Sequence, residues 1–150
     1  MDDDEILLDV IGAMLEGMGY EAEFAQDGKQ ALEKYALAQQ DGAPFDAVIM
    51  DLIIPAGMGG REAMEQLRAI DPQARVIVSS GYSNNSVMAD YESYGFSDVI
   101  AKPYRFSDLS KKLRQVLRNR LPTRSSQPED GNKQAPPICG KETNLWTGNE

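Results

Sequence analysis

The chain has no histidine and only one cysteine among its 150 residues. The absence of histidine excludes histidine general bases, Ser-His-Asp triads and the usual zinc sites. The single cysteine, Cys139, excludes an intrachain disulfide and a cysteine zinc cluster, which favours a reducing compartment. The chemistry of this protein must therefore come from carboxylates, hydroxyls and amines.

Long apolar runs and an excess of basic residues are also missing. No stretch approaches the length that spans a membrane, and the N-terminus lacks the basic-then-apolar pattern of a signal peptide. The net charge of −9 argues against binding of nucleic acid through a broad basic face. These absences predict a cytoplasmic protein with no membrane contact and no nucleic-acid partner.

The sequence does contain short apolar runs that alternate with helical patterns. Strands are predicted near residues 21–25, 45–50, 75–78 and 98–101, and helices near 6–18, 29–39, 61–70, 86–94 and 107–119. Strands that alternate with single helices indicate parallel βαβ units and an α/β fold. Residues 1–121 are predicted to form one domain. Residues 122–150, rich in Ser, Gln, Pro, Gly and Asn, are predicted to be a disordered polar tail.

Polar side chains follow several of the predicted strands. Asp51 ends a short buried strand, and Ser80 and Lys102 each come after another apolar run. Ligands of open parallel sheets bind at these carboxyl ends. Carboxylates are ligands for Mg²⁺, a hydroxyl can donate to a phosphoryl oxygen, and an ammonium can neutralise one. With Asp2 and Asp3 at the start of the chain, the pattern predicts phosphoryl chemistry on a carboxylate.

Four motifs occur in order at the ends of the predicted elements: Asp2-Asp3, Asp51 followed by Pro55, Ser80-Gly81 and Lys102-Pro103. Together they resemble the receiver domain of two-component response regulators, including receivers attached to hybrid sensor histidine kinases. The resemblance covers roughly residues 1–120. It implies a flavodoxin-like, doubly wound parallel sheet with the strand order 2-1-3-4-5.

The resemblance also implies a role for each motif. Asp51 matches the phosphoacceptor, which takes a phosphoryl group from a histidine kinase or a histidine phosphotransfer protein. Lys102 matches the lysine that pairs with a phosphoryl oxygen, and Ser80 matches the hydroxyl that moves toward the phosphate. The implied Mg²⁺ ligands are the carboxylates of Asp2, Asp3 and Asp51 and the backbone carbonyl of Ile53.

A receiver is a signalling domain, and the resemblance implies that it catalyses only its own phosphorylation and dephosphorylation. It further implies a downstream effector that binds the face formed by the fourth helix, the fifth strand and the fifth helix. The sequence leaves open the cognate kinase, the output, the oligomeric state and the isomer of the Lys102-Pro103 bond. It also leaves open whether the domain is free-standing or the end of a hybrid kinase.

The sequence departs from the family pattern at three places. One is the loop after Asp51, which appears one residue longer than usual and has Gly59 where an Asp or Asn is common. Receivers have an apolar first strand directly before the acidic pair, whereas this sequence starts at Met1. We expect this central strand to be missing or truncated, with Met1 an internal methionine of a longer chain. A chain that begins here should be poorly stable and bind metal poorly, because Asp2 would lie on a frayed terminus. Val99 occupies the position of the aromatic switch residue, for which Phe96 and Tyr104 are nearby substitutes.

Other functions remain open for the same residues. A phosphohydrolase of the haloacid dehalogenase type also attacks with a strand-end Asp, but it needs a second Asp two residues later, where Ile53 cannot transfer protons. A pseudo-receiver that only binds partners is a further alternative, with the missing first strand as its main support. Asp2 and Asp3 could also serve simply as charges at a helix N-terminus, and Lys102 as a solvent lysine.

Overall fold

Three short strands form a parallel sheet in the described part of the chain. The computed structural model describes residues 1–81 and 86–118. Strand β1 is Val48–Asp51, β2 is Val76–Ser80 and β3 is Asp98–Ala101. They lie side by side in the order β1-β2-β3, and both pairs run parallel. The predicted parallel arrangement is therefore confirmed for this part of the sheet.

Five helices accompany the strands: α1 (Glu5–Gly17), α2 (Gly28–Gln40), α3 (Gly60–Ile70), α4 (Ser86–Ala89) and α5 (Phe106–Arg118). Two of them begin at aspartate caps, since the side chain of Asp4 accepts from the Leu7 amide at 3.1 Å and that of Asp27 from the Gln30 amide at 2.9 Å. After α1, Gly19 adopts a left-handed φ of 81°, which ends the helix as predicted.

The hydrophobic core lies on both faces of the sheet because successive strand residues point to opposite sides. In β1, Met50 packs on one side and Ile49 on the other. The first cluster joins β1 and β2 to α2 and α3 through Leu32, Tyr35, Met64, Leu67 and Val78. The second joins the sheet to α1 and α5 through Ile11, Ile77, Leu109, Leu113 and Val116. The result is the three-layer α/β architecture that the sequence predicts.

The first two residues occupy the position of a central strand. The Met1 ammonium donates to the Ile49 carbonyl at 2.9 Å, and the Asp51 amide donates to the Met1 carbonyl at 2.9 Å. On the other side, the Asp2 amide donates to the Ala25 carbonyl at 3.0 Å. Met1 and Asp2 therefore lie between β1 and the segment that ends at Ala25, where the order 2-1-3-4-5 places strand 1. Met1 and Asp2 take the place of the end of that strand.

The strand predicted at residues 21–25 is wrong. The segment does not form a strand, and most of its residues are exposed. A strand needs a ladder of hydrogen bonds to a neighbour. Within the described residues, a single backbone hydrogen bond, from the Asp2 amide to the Ala25 carbonyl, joins this segment to Met1 and Asp2. The absence of a longer neighbour explains the error.

The helix predicted to reach Tyr94 is also wrong, because α4 ends at Ala89. The Ser93 hydroxyl donates to the Asp90 carbonyl at 2.9 Å, and the Ser93 amide donates to the same carbonyl at 3.2 Å. These bonds form a turn in place of the next helical turn, as serine and aspartate side chains often do. Gly95, with a φ of 91°, then turns the chain toward β3.

The C-terminal helix differs slightly from its prediction. It begins at Phe106, so the predicted N-cap, Ser107, lies in its first turn. The predicted end at Asn119 and the predicted disordered tail, 122–150, lie outside the described residues, and the domain boundary stays a prediction. Residues Met1–Arg120 group into one compact unit. No helix in the described part of the chain is long and apolar enough to cross a membrane.

Candidate functional site

Asp51 lies at the carboxyl end of β1, where the sequence predicts the site. Its side chain is buried, with the residue only 7% exposed. The backbone around it is packed closely against the start of α3, because a Cβ atom on Gly60 would lie 2.6 Å from the Asp51 carbonyl oxygen. Only glycine permits this approach, so Gly60 fixes the loop that leads away from Asp51.

Three carboxylates meet at this end of the sheet. Ligand atoms of Asp2, Asp3 and Asp51 lie within 4.8 Å of one another. Asp2 is buried and Asp3 is exposed. The Asp2 amide donates a hydrogen bond to the Ala25 carbonyl, and Asp2 Oδ1 accepts one from the Asp4 amide at 3.1 Å. These two bonds hold Asp2 in place. The three residues that the sequence predicts as carboxylate ligands are thus brought together.

Lys102 reaches this cluster from the end of β3. Its Nζ donates to Asp51 Oδ2 at 2.8 Å and lies 2.6 Å from Asp2 Oδ2. Its amide donates to the Ser80 carbonyl at 3.0 Å, which ties the start of the following turn to β2. The Lys102-Pro103 peptide bond is cis. Lys102 is therefore part of the site, and the solvent-lysine interpretation is wrong.

The charges of the cluster are set by burial and by the ion pairs. Burial by itself lowers the pKa of Lys102, but the contacts with Asp2 and Asp51 outweigh it and raise the pKa above the ordinary value. Lys102 therefore stays an ammonium at neutral pH. At the neighbouring Met1 α-amine, burial dominates and lowers the pKa to about 6.

Ser80 and Ile53 lie beside the cluster. Ser80 is the last residue of β2 and is buried. The Ile53 amide donates to Asp51 Oδ1 at 3.4 Å, and its side chain is half exposed. The structure thus places both residues at the predicted end of the sheet. The switch role of Ser80 and the metal-ligand role of the Ile53 carbonyl stay predictions.

The residues of this cluster fit a divalent cation. Asp2 Oδ2 is buried, and the Lys102 ammonium 2.6 Å away is its charged partner. A carboxylate has about four lone-pair sites, so one contact with an ammonium leaves capacity for a metal ligand. Asp3 and Asp51 add further hard oxygen donors, the kind that Mg²⁺ prefers.

Comparison with known proteins decides the family. The sequence model of the response regulator receiver domain matches residues 1–114. The chain is a response regulator receiver domain. Its function therefore lies in two-component signalling, and the resemblance seen in the sequence is confirmed.

The relatives of this receiver include longer regulators. It is 31% identical over 138 residues to the sensory transduction protein RegX3 of Mycolicibacterium smegmatis, covering 92% of this chain and 58% of that protein. It is 29% identical over 121 residues to the transcription factor SKN7 of Chaetomium thermophilum, covering 81% of this chain and 15% of that protein. The chain thus spans less than two thirds of either relative.

Among solved structures, the receiver domain of sensor histidine kinase PA1611 from Pseudomonas aeruginosa is similar, with a TM-score of 0.69 and 24% identity. The match covers 79% of this chain and 94% of that domain, whose structure has a magnesium ion coordinated in the active site cleft. This likeness shows the fold of the present receiver, and the flavodoxin-like prediction is confirmed.

Sequence reasoning missed one pair of residues in this receiver. The hydroxyls of Ser79 and Tyr104 share a hydrogen bond beside the site. Ser79 is fully buried and is the register partner of Asp51 in the sheet. The sequence offered a weak signal, since Ser79 ends an apolar run and Tyr104 closely follows Lys102, but only the fold brings the two hydroxyls together.

Proposed function

We propose that this receiver accepts a phosphoryl group on Asp51 from a histidine kinase or a histidine phosphotransfer protein. The observation that carries the proposal is the 2.8 Å hydrogen bond between Lys102 Nζ and Asp51 Oδ2 at the carboxyl end of the sheet. This pair places a nucleophilic carboxylate next to a fixed positive charge. Such an arrangement suits transfer of an anionic group to the carboxylate.

The transfer step is a displacement at phosphorus. A carboxylate oxygen of Asp51 attacks the phosphorus of a phosphohistidine, a P–O bond forms, and the P–N bond breaks. The electron pair of the broken bond passes to the imidazole nitrogen, and Asp51 becomes an acyl phosphate. The Lys102 ammonium stabilises the charge on the phosphoryl oxygens. The donor imidazole belongs to the partner, because this chain has no histidine.

Magnesium is the cofactor that the donor set supports. Asp2, Asp3 and Asp51 would hold it through their carboxylates, together with the backbone carbonyl of Ile53. When bound, a divalent cation neutralises charge on the transferring phosphoryl group. The residues of the chain supply the remaining functions, since Asp51 provides the nucleophile and Lys102 fixes one of its oxygens.

The catalytic role of the domain is limited to its own phosphorylation and dephosphorylation. The retained acidic cluster and lysine support this role over that of a pseudo-receiver that only binds partners. Ser80, buried at the end of β2, acts as the hydroxyl that follows the phosphate. An effector binds the face made by α4, β3 and α5. The domain works in the cytoplasm, where histidine kinases present their phosphohistidine.

The test is intact-mass measurement of the chain after incubation with phosphoramidate and Mg²⁺. We expect one acid-labile phosphoryl group in the parent protein and none in Asp51→Asn. Asp46→Asn is the matched control, because Asp46 is an exposed aspartate just before the same strand. Undiminished labelling of Asp51→Asn, or loss of labelling in both variants, would refute the assignment of Asp51.

A further inference from the structure

A buried hydrogen bond joins the turn that carries Lys102 to the strand beside Asp51. The Tyr104 hydroxyl, two residues after Lys102, bonds to the Ser79 hydroxyl. Ser79 is fully buried, and Tyr104 is partly buried. A bond to the fully buried Ser79 hydroxyl is costly to break, because that group then loses its partner.

The same turn is held to β2 at a second point. The Lys102 amide donates to the Ser80 carbonyl at 3.0 Å. Tyr104 is therefore fixed to the side chain of Ser79, and Lys102 is fixed to the backbone of Ser80. Ser79 and Ser80 are consecutive residues of β2. The backbone from which the Lys102 side chain extends is thus held at two points.

The anchoring strand is also the neighbour of the phosphoacceptor. Ser79 is the register partner of Asp51, and its carbonyl accepts from the Leu52 amide at 2.9 Å. The chain of contacts thus runs from Asp51 through the sheet to Ser79, through the hydroxyl pair to Tyr104, and along the turn to Lys102. It closes at the ion pair between Lys102 and Asp51.

The position of Lys102 needs such support because lysine has a long, flexible side chain. Its ammonium contacts both Asp2 and Asp51, at 2.6 and 2.8 Å. A small shift of the backbone would move the ammonium out of reach of one or both carboxylates. Misplacement of a catalytic group by about 1 Å can cost roughly 100-fold in rate.

We propose that Tyr104 is a positioning residue that acts through Ser79 to hold the Lys102 ammonium on Asp51. Tyr104 does not touch the phosphoryl group in this scheme. Its hydroxyl fixes the turn, the turn fixes Lys102, and Lys102 acts on the phosphoryl oxygens. The kinetic part of the inference rests on the proposed function, whereas the positional part does not.

The positional part is tested by nuclear magnetic resonance of the full chain with ¹⁵N-labelled lysine, in buffer without metal. The Lys102 ammonium signal is assigned by its loss in Lys102→Ala. We expect a protected, ion-paired signal in the parent, and a shift toward that of a solvated lysine in both Tyr104→Phe and Ser79→Ala. An unchanged signal in the two folded variants would overturn the proposal.

Tyr35→Phe is the matched control for a lost buried hydroxyl. Tyr35 donates to Asp71 Oδ2 at 2.7 Å, in contact with the end of α3 and not with the acidic cluster. We expect this variant to melt at a lower temperature while the Lys102 signal stays in place. A shift of the Lys102 signal in Tyr35→Phe as large as in Tyr104→Phe would show general loosening and count against the specific role of Tyr104.

The kinetic part is tested by a double-mutant cycle with phosphoramidate as the donor. We expect Tyr104→Phe to lower the labelling rate at saturating donor by roughly ten- to a hundredfold, with little change in the half-saturating concentration. In a Lys102→Ala background, the same substitution should change nothing further. An equal loss in both backgrounds would show that Tyr104 does not act through Lys102.

The two tests separate failure of the inference from failure of the proposed function. If Asp51→Asn is labelled as fully as the parent, the phosphoacceptor assignment fails, yet the lysine signal still decides whether Tyr104 positions Lys102. If labelling depends on Asp51 but Tyr104→Phe alters neither the signal nor the rate, the inference alone is overturned.

Discussion

Asp51 and Lys102 are joined by a 2.8 Å hydrogen bond although they are 51 positions apart in the sequence. The same ammonium lies 2.6 Å from Asp2, so one cation links two of the three clustered carboxylates. The Lys102 ammonium and a bound divalent metal would therefore compete for Asp2 and Asp51. Removal of the lysine and removal of a carboxylate should therefore affect Mg²⁺ affinity differently.

Lys102→Ala should lower the rate of Asp51 phosphorylation by about 10²–10³-fold, because one charged group that stabilises the phosphoryl oxygens is removed. Its Mg²⁺ affinity should be retained or increased, since the competing ammonium is gone. Asp3→Ala should weaken Mg²⁺ binding, because one oxygen donor is lost. Calorimetric titration of Mg²⁺ separates the two variants.

Lys34→Ala is the control for removal of a lysine elsewhere, because Lys34 pairs with Glu23 at the surface. It should change neither Mg²⁺ affinity nor labelling. Equal losses of Mg²⁺ affinity in Lys102→Ala and Asp3→Ala would contradict the roles given to the two residues.

The lifetime of the acyl phosphate should depend on Ile53. Its amide contacts Asp51 Oδ1 at 3.4 Å, and its apolar side chain, 48% exposed, borders the site without a group that could orient water. Ile53→Asn adds such a group and should speed the loss of phosphate several-fold. The measurement is the decay of the labelled mass after removal of the donor. Ile70→Asn is the control, because Ile70 is an exposed isoleucine that ends α3, and it should leave the decay unchanged. Equal decay in the parent, Ile53→Asn and Ile70→Asn would show that water access does not limit hydrolysis.

Gly60→Ala should destabilise the domain by about 1–3 kcal/mol, the usual cost of forcing atoms into a packed site. The added Cβ would meet the Asp51 carbonyl oxygen at 2.6 Å, and that oxygen belongs to backbone that cannot easily move. Gly17→Ala is the control, because its Cβ would meet only the Phe106 ring, at an ordinary 3.8 Å. Urea unfolding measures both variants, and similar stabilities would mean that the close contact at Gly60 is relieved at no cost.

The stability of a chain that begins at Met1 should fall as the pH is lowered from 8 to 6. Burial lowers the pKa of the α-amine from 8.0 to about 6 in the folded state. Between these values the unfolded chain takes up a proton that the folded chain does not. The contribution of this amine to stability is therefore fully present above pH 8 and is reduced by about 2–3 kcal/mol below pH 6.

The absence of histidine makes this pH test selective, because no imidazole titrates in the same range. Urea unfolding at pH 6, 7 and 8 provides the measurement. An Nα-acetylated chain keeps a donor for the Ile49 carbonyl without the charge, so its stability should be nearly constant over this range. The same pH dependence in both forms would assign the effect to other groups.

The sequence by itself determined the class of the fold and the main residues of the site. Asp51, Ser80 and Lys102 each follow an apolar run, and the carboxyl ends of parallel strands meet at one edge. That deduction needs only the order of residues along the chain and the geometry of parallel strands. The ends of most helices could also be predicted, because they depend on local capping residues such as Asp27 and Gly19.

Only the tertiary structure decided the features that depend on partners far apart in the sequence. Residues 21–25 have a pattern typical of a strand, yet they lack a full neighbouring strand and remain irregular. The Ser79–Tyr104 bond depends on how the turn after β3 lies against β2. Hydrophobic periodicity does not encode these features. They depend on which polar groups the packed chain brings within hydrogen-bonding distance.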